Sequence, residues 1–175
     1  MTEFVAFLRG INVGGRRPAM ADLADCVRAA GMTDVHTILA TGNIRFASDE
    51  PGEAVATRLE AAISERFGFA ARLFVKTLPE LAAVREACPF GPTEVHDGVA
   101  HHTYVTFTAD AQTVAEILGQ VPAGQRLAEH GDVLFWQTPK GSSLDHPVAK
   151  VMNRARIKER TTTRNVNTLD KILAR

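Results

Sequence analysis

The sequence predicts an α+β protein of two tandem ferredoxin-like units, each with the order βαββαβ, followed by a C-terminal helix. Strand and helix patterns follow this order over residues 1–77. The same order recurs over residues 99–175, after a connecting helix and loop at 78–98. Glycine- and proline-rich segments separate the elements, as expected of short turns.

The first unit begins with a strand over residues 4–8 that is apolar on both alternating faces, a pattern typical of a central strand. Gly31 is placed to end the first helix, and Ser48-Asp49-Glu50 to cap the second. A hairpin turn is expected at Thr41-Gly42-Asn43, where glycine and asparagine tolerate positive φ. The remaining elements are predicted as a helix over 19–30, strands over 35–40 and 44–47, a helix from Pro51 to before Gly68, and a strand over 71–76.

The second unit follows a connecting helix over 78–88, which Pro89-Phe90-Gly91-Pro92 terminates. Its predicted elements are a strand over 102–107, a helix over 111–118, a hairpin of strands 125–129 and 132–137, a helix over about 144–153 and a short strand over 161–163. Asn167 is the expected N-cap of the last helix, over 167–174.

In a ferredoxin-like unit both helices cover one face of the sheet. Because the first strand is apolar on both sides, we expect its second face to be covered as well, by the other unit or by a second copy of the chain. A homodimer is therefore one of the two arrangements that the sequence allows.

Composition is that of an ordinary globular protein, with 45% apolar residues and 20 basic against 20 acidic side chains. The balanced charge provides no overall field that would attract nucleic acid or an acidic membrane. No run of 18 apolar residues is present, and Glu3 precedes the first apolar run, unlike a signal peptide. We expect a cytoplasmic protein in which the two cysteines, Cys26 and Cys88, are buried thiols.

The main functional candidate is the segment from Leu8 to Pro18, which leaves the first strand, contains three glycines and three arginines, and precedes a helix. Backbone N–H groups at such a turn and the positive end of the helix dipole favour an anion. The residues predicted to contribute are Arg9, Gly10, Asn12, Gly14, Gly15 and Arg16, and Asn43 is a further predicted ligand-binding residue. The alternative is a tight structural turn, because the segment is neither a P-loop nor a dinucleotide fingerprint.

A second candidate is the basic segment toward the C-terminus. Its cations are Lys150, Arg154, Arg156, Lys158, Arg160 and Arg164. Together with Asn165 they predict a phosphate-contacting surface for RNA, DNA or a nucleotide. A solvated helix and loop explains the same residues without a ligand.

The sequence contains only weak signals for a metal site, a hydrolase triad or an RNA-stacking surface. The six histidines include no pair at the i, i+4 spacing, so no metal site and no cofactor is predicted. Ser142, Ser143, Asp145 and His146 could form part of a hydrolase triad, but no nucleophile elbow accompanies them. Ser142, Ser143 and Asp145 are interpreted as a loop and a helix N-cap. Aromatic residues on the central strands are interpreted as core rather than as an RNA-stacking platform: Phe7, Phe46, Tyr104, Phe107, Phe135 and Trp136.

Four short motifs resemble an uncharacterised bacterial family, domain of unknown function 1697. They are Leu8-Arg9-Gly10-Ile11-Asn12-Val13-Gly14-Gly15, Met20-Ala21-Asp22-Leu23, Thr41-Gly42-Asn43 and Thr162-Thr163-Arg164-Asn165. The resemblance implies two alpha-beta plait units and brings no established activity. Members usually have tryptophan after the Arg-Asn pair, where this chain has Val166, which puts an aromatic stacking role there in doubt.

The leading hypothesis is a module that binds a phosphorylated small molecule, a nucleotide or, less strongly supported, a nucleic-acid backbone at the glycine-arginine turn; no membrane partner is expected. One alternative is an enzyme acting between the units, with Arg9 and Arg164 as clamps and Asn12 or Asn43 orienting the substrate. It lacks an obvious general base. The other is a structural or interaction protein that associates through its sheets.

Overall fold

The protein is described by a computed structural model covering residues 1–9 and 18–175. It is a mixed α+β structure with two antiparallel sheets. The chain divides into two compact units, Met1–Leu81 with Ile172–Arg175, and Ala82–Lys171. The limits expected from the sequence, at residues 77 and 98, stay a prediction.

The first unit contains a four-stranded sheet and two helices that follow its strands in sequence. Its elements are β1 (Thr2–Arg9), α1 (Met20–Ala29), β2 (Thr33–Ile38), β3 (Asn43–Ser48), α2 (Gly52–Phe67) and β4 (Arg72–Thr77). The strand order is β2-β3-β1-β4, with β1 antiparallel to both of its neighbours. Helix α3 (Leu78–Ala87) comes next. These elements agree with the predicted ones to within a few residues.

Strand β1 is buried on both faces, as its sequence predicts. Phe4, Ala6 and Leu8 pack into a core with the apolar stripes of α1 and α2, and the Phe4 ring stacks on Phe46 with centroids 5.7 Å apart. Val5 and Phe7 on the opposite face are also fully buried. Complete burial of a large apolar side chain such as Phe4, Val5, Phe7 or Leu8 is worth about 1.5–3 kcal/mol, so β1 contributes strongly to the stability of this unit.

The predicted turn between β2 and β3 is confirmed, with Leu39 and Gly42 at positive φ of 59° and 74°. Asn43 does not adopt positive φ and begins β3 with its side chain fully buried. The predicted cap of α2 is wrong. The N-cap position of α2 is Pro51, whose side chain cannot form a hydrogen bond, while Ser48 Oγ accepts the Glu50 N–H upstream at 3.2 Å. Gly68 ends α2 at φ 73°, as expected.

The second unit contains a five-stranded sheet. Its elements are β5 (Thr93–His96), β6 (Val99–Thr108), α4 (Ala111–Leu118), β7 (Leu127–His130), β8 (Val133–Pro139), α5 (Pro147–Met152), α6 (Ala155–Lys158), β9 (Thr161–Asn165) and α7 (Val166–Leu173), the last of which ends in the first unit. The strand order is β5-β6-β8-β7. Strand β9 pairs with residues 104–108 of β6, and β5 with residues 99–102.

Three predictions for the second unit are corrected. Strand β5 lies where the sequence predicts a loop. The strand was not predicted because four residues are too few for a clear alternation of apolar and polar side chains. The single helix expected over 144–153 is α5 followed by α6, and α5 starts after His146, whose Nδ1 accepts the Val148 N–H at 3.2 Å. Helix α7 begins at Val166, before the expected N-cap Asn167.

The helix-facing side of the second sheet forms its own core. Leu134 and Trp136 of β8 pack against α4 and α5, and Tyr104 packs at the edge. The Trp136 ring lies between Tyr104 and His146, with both centroid distances 4.8 Å. Trp136 Nε1 donates to Thr106 Oγ1 at 3.0 Å, so this core includes buried hydrogen bonds as well as apolar contacts. In the described part of the chain, no helix is long and apolar enough to cross a membrane.

Candidate functional site

Arg9 is the last residue of β1 and lies directly opposite Arg72 of β4 in the antiparallel ladder. The alternation of β1 places Arg9 on the same face as Val5 and Phe7, away from the core that α1 and α2 cover. Gly10, Asn12, Gly14, Gly15 and Arg16 lie outside the described residues. Of the predicted anion site in the first unit, the structure therefore describes Arg9 and Asn43.

Further cations belong to the same face of this sheet. Lys76 of β4 and Arg45 of β3 are both opposite Val5, one from each side. Arg45 is neutralised by Glu3 at 2.7 Å and donates to the Ile172 carbonyl at 3.3 Å. Arg72 has a more distant carboxylate, Glu60, at 3.9 Å. The face thus carries Arg9 and Arg72 at one end of β1, and Arg45 and Lys76 lie opposite Val5, four residues away along the strand.

The Asn43 side chain forms hydrogen bonds within the β2–β3 turn. Its Nδ2 donates to the Ile38 carbonyl and to Thr41 Oγ1, both at 2.8 Å, and the side chain is fully buried. The Leu8 N–H donates to the Gly42 carbonyl at 2.9 Å, which ties the same turn to β1. Asn43 therefore fixes the β2–β3 turn beside the end of β1, and this explains its place in the Thr41-Gly42-Asn43 motif.

Arg164 and Asn165, the other two predicted site residues, end β9 in the second unit. Arg164 is buried and donates from Nη1 to Thr162 Oγ1 at 2.8 Å and to the Thr163 carbonyl at 2.9 Å. Burial lowers the pKa of its guanidinium to about 10. Asn165 Oδ1 accepts the Asn167 N–H at 2.9 Å at the start of α7. Both side chains have structural hydrogen bonds.

The basic segment is divided between structural and exposed cations. Arg160 donates to Glu116 Oε2 at 2.6 Å and to Thr113 Oγ1 at 3.0 Å, which ties the segment to α4. Arg154 donates to Gln120. Three cations extend into solvent at α5 and α6: Lys150, Arg156 and Lys158. The solvated-helix interpretation fits most of this segment.

The aromatic residues on the central strands are core residues, as predicted. Phe7, Phe46, Phe107, Phe135 and Trp136 are at most 1% exposed, and Tyr104 stacks on Trp136. Rings that stack on RNA bases must be accessible on the sheet surface. The positions of these five rings therefore do not provide an RNA-stacking platform.

The two cysteines are free thiols, Cys26 buried and Cys88 half-buried. Burial raises the pKa of both thiols, which lowers the thiolate fraction and with it the nucleophilicity. Cys26 contributes to a shallow cavity of about 350 Å³ between α1 and α2. The expectation that both thiols are buried is confirmed for Cys26, whereas Cys88 is only half-buried.

A polar cluster in the second unit was missed by sequence reasoning. It lies on the face of the β5–β6–β8 sheet that carries Thr103, and consists of Glu94, His96, His101, Thr103, Gln137 and Arg126. The available signal was Asp97-Gly98, a two-residue turn with φ values of 50° and 77° that is typical of a β-hairpin. Recognising that turn would have placed His96 and His101 on paired strands.

Gln137 joins the members of this polar cluster. Its Oε1 accepts from Arg126 Nε at 2.7 Å, and its Nε2 donates to Thr103 Oγ1 at 3.0 Å. Glu94 accepts the Gly91 N–H at 2.7 Å and lies 3.2 Å from Arg126. The Gly91 hydrogen bond, with smaller contributions from Gln137, Arg126 and His96, lowers the pKa of the Glu94 carboxyl and keeps it ionised.

A conserved bacterial protein from Streptococcus pneumoniae of known structure is similar over 99% of this chain and 97% of its own, with 22% identity and a TM-score of 0.78. At that identity the likeness shows the fold alone. Escherichia coli aspartokinase III, solved with lysine and aspartate, matches at 12% identity over 86% of this chain and 30% of its own, and its TM-score of 0.27 supports no inference.

No curated protein matches the chain significantly. The sequence profile described as "Protein of unknown function (DUF1697)" matches residues 1–136, which include the opening motif, the β2–β3 turn and the strands of both sheets up to β8. The match covers most of the chain and includes the first three of the four motifs noted in the sequence, whereas the fourth, Thr162-Thr163-Arg164-Asn165, lies beyond the matched residues. The chain therefore belongs to the DUF1697 family.

Proposed function

We propose that the protein binds a phosphate-bearing ligand at the end of β1 in the first unit. The pair of arginines on neighbouring strands, Arg9 opposite Arg72, carries the proposal. Two guanidinium groups on neighbouring strands can both donate charge-assisted hydrogen bonds to one phosphate. Residues 10–17 contribute glycine N–H groups and Arg16 in this proposal, as their sequence predicts.

The surrounding residues support the same location. Lys76 adds a third cation on the face that bears Arg9, and Asn43 fixes the adjacent turn. Arg164 and Asn165 belong to the second unit, and their part in binding a ligand stays a prediction from the sequence. The ligand class we favour is a nucleotide or phosphorylated small molecule, because the buried aromatic rings do not favour RNA.

We also propose that both units have the ferredoxin-like topology and that the protein acts in the cytoplasm. The strand order β2-β3-β1-β4 and the corresponding series β7-β8-β6-β9 support the first statement. Two free thiols support the second, since reduced cysteines are usual in that compartment.

The test is a titration of the full chain with inorganic phosphate, pyrophosphate, ATP and a short single-stranded RNA, followed by amide NMR shifts. We expect shifts at Arg9, Gly10, Gly14 and Gly15 with at least one phosphate compound. Arg9→Gln and Arg72→Gln should each weaken binding about 10-fold or more, because each removes a charge-assisted hydrogen-bond donor. Arg66→Gln is the matched control, since it removes an exposed charge from α2 of the same unit.

Absence of shifts with every phosphate compound would overturn the proposal. If Arg66→Gln weakens phosphate binding as much as Arg9→Gln and Arg72→Gln do, the binding reflects the overall charge of the unit and not a site at the end of β1. Tightest binding to RNA with a steep loss of affinity as salt rises would replace the small ligand by a nucleic-acid backbone.

A further inference from the structure

Two histidines on the β5–β6 hairpin lie on the same face and next to each other. His96 is opposite Val99, and His101 is two residues further along β6, opposite Glu94. The register makes them diagonal cross-strand neighbours, a separation that long and aromatic side chains bridge. Their ring centroids are 4.9 Å apart and the ring planes meet at 66°. The two imidazoles are thus in direct contact at a half-buried position.

The hydrogen bonds of His96 determine which of its ring nitrogens carries the proton. His96 Nε2 lies 3.2 Å from both Gln137 Oε1 and Glu94 Oε2. The orientation of Gln137 is fixed, because its Oε1 accepts from Arg126 and its Nε2 donates to Thr103. Both neighbours of Nε2 are therefore acceptors, so Nε2 carries a hydrogen. In the neutral ring, Nδ1 then holds the lone pair.

The same reasoning applies to His101. Its Nδ1 is 3.0 Å from the Val99 carbonyl, which can only accept. Nδ1 therefore carries a hydrogen, and Nε2 holds the lone pair in the neutral ring. Each imidazole has one nitrogen held by a protein acceptor and the other available as a ligand atom. A histidine that binds a metal is typically held in this way, by a carboxylate or a backbone carbonyl on its other nitrogen.

The separation of the ring centroids is close to that of two imidazoles bound to one ion. Metal–imidazole bonds of about 2.0–2.1 Å at a tetrahedral angle put two ring centroids roughly 5 Å apart. The observed separation is 4.9 Å. Within residues 1–9 and 18–175, no group of three or more histidine, cysteine or carboxylate side chains is arranged to hold a metal. A shared ion would thus have two protein ligands and open positions for water or another molecule.

We propose that His96 and His101 form an open binding site for a divalent transition-metal ion of the Zn²⁺ and Cu²⁺ class. Imidazole nitrogen suits these ions, and Cu²⁺ binds such ligands most tightly. Glu94 and the Val99 carbonyl orient the two rings, and Gln137 and Arg126 hold Glu94 and His96 in position. The site belongs to the second unit and is independent of the phosphate site proposed for the first.

The test is calorimetric titration of the full chain with ZnCl₂ and CuCl₂, with histidine side-chain NMR of the same samples. We expect one ion per chain, tighter binding of Cu²⁺ than of Zn²⁺, and ring shifts of His96 and His101 on addition of Zn²⁺. His96→Asn and His101→Asn should each weaken binding at least 10-fold. Glu94→Gln should weaken it about 10- to 100-fold although both ligands remain.

His102→Asn is the matched control. His102 is the neighbour of His101 and points to the other side of the strand, where its Nδ1 lies 3.2 Å from Thr93 Oγ1. It should bind both ions as the unmodified chain does. Unchanged affinity in His101→Asn, or equal losses in His101→Asn and His102→Asn, would overturn the proposal. The NMR shifts of the unmodified chain decide the question even where His96→Asn fails to fold, because a shift at His102 without one at His96 and His101 also contradicts it.

Discussion

The two units have similar orders of strands and helices but different interiors. Among the described residues, the buried polar side chains of the first unit are Asn43 and Ser48. Those of the second unit are Thr103, Thr106, Thr108, Thr113, Gln137, Thr138, His146, Thr161, Thr162, Arg164 and Thr168. The first interior is thus almost entirely apolar, whereas hydrogen-bonding groups line much of the second.

These buried groups form networks. Thr106 Oγ1 accepts from Trp136 Nε1 at 3.0 Å and lies 2.8 Å from Thr163 Oγ1, so one hydroxyl joins β6, β8 and β9. In the described part of the chain, no buried side-chain nitrogen or oxygen lacks a hydrogen-bond partner. Apolar packing tolerates sliding of similar shapes, but a satisfied hydrogen bond requires one orientation. The second unit is therefore the better place for side chains that need fixed orientations, such as His96 and His101.

Two core substitutions, one in each unit, have the largest expected effect and test whether the two cores are equally important for stability. Trp136→Ala should lower the free energy of unfolding by about 3–5 kcal/mol, because it leaves a cavity between Tyr104 and His146. Phe46→Ala in the first unit should cause a loss in the same range. Urea denaturation followed by circular dichroism measures both values.

A double-mutant cycle then separates hydrogen bonding from packing. Trp136→Phe and Thr106→Val, alone and combined, should give a coupling energy of about 0.5–1.5 kcal/mol. A coupling near zero would mean that the hydroxyl network of the second unit adds nothing to its packing.

Much of the fold was predictable from the sequence because its signals are local. The apolar run of β1 and the stripe of α2 before Gly68 each identify their element directly. Strand β5 was missed although Asp97-Gly98 marks its turn, because Val95 is 68% exposed and the strand has four residues. A short edge strand buries too little to produce a clear apolar pattern.

The candidate sites were harder to predict for a different reason. Arg9 could be selected from the sequence, since it follows a buried strand directly. Its opposite neighbour Arg72 is 63 positions away along the sequence, from 9 to 72, and only the register of β1 and β4 brings them together. The His96 cluster likewise depends on Gln137 and Arg126, which no local pattern connects to it. Contacts between distant segments require the topology.

A smaller effect is expected from substitutions of the glycine that follows the C-terminus of one helix in each unit. Gly68 follows α2 at φ 73°, whereas Gly119 follows α4 at φ −65°. Gly68→Ala should lower the free energy of unfolding by about 1 kcal/mol, because an L-residue is strained in the left-handed region. Gly119→Ala should change it by less than about 0.5 kcal/mol, since alanine adopts that conformation readily and its Cβ would lie 3.4 Å from the Ala115 carbonyl oxygen. Thermal melts of both variants, side by side, measure the difference, and equal losses would contradict the assigned backbone conformations.

The smallest effect is a pH dependence that the polar interior of the second unit should confer. Burial lowers the pKa of His146, whose Nδ1 accepts the Val148 N–H while its ring stacks on Trp136. The unfolded chain protonates this histidine below about pH 6.5, whereas the folded chain resists protonation. Its contribution to stability is therefore complete above about pH 6.5 and is lost as the pH falls toward the lower folded-state value. His146→Asn supplies an N-cap oxygen that does not titrate, so its free energy of unfolding should fall less than that of the unmodified chain between pH 7 and pH 5. Urea denaturation at each pH measures the free energy of unfolding of the two proteins. If both lose the same amount between pH 7 and pH 5, protonation of His146 does not contribute to the pH dependence of stability.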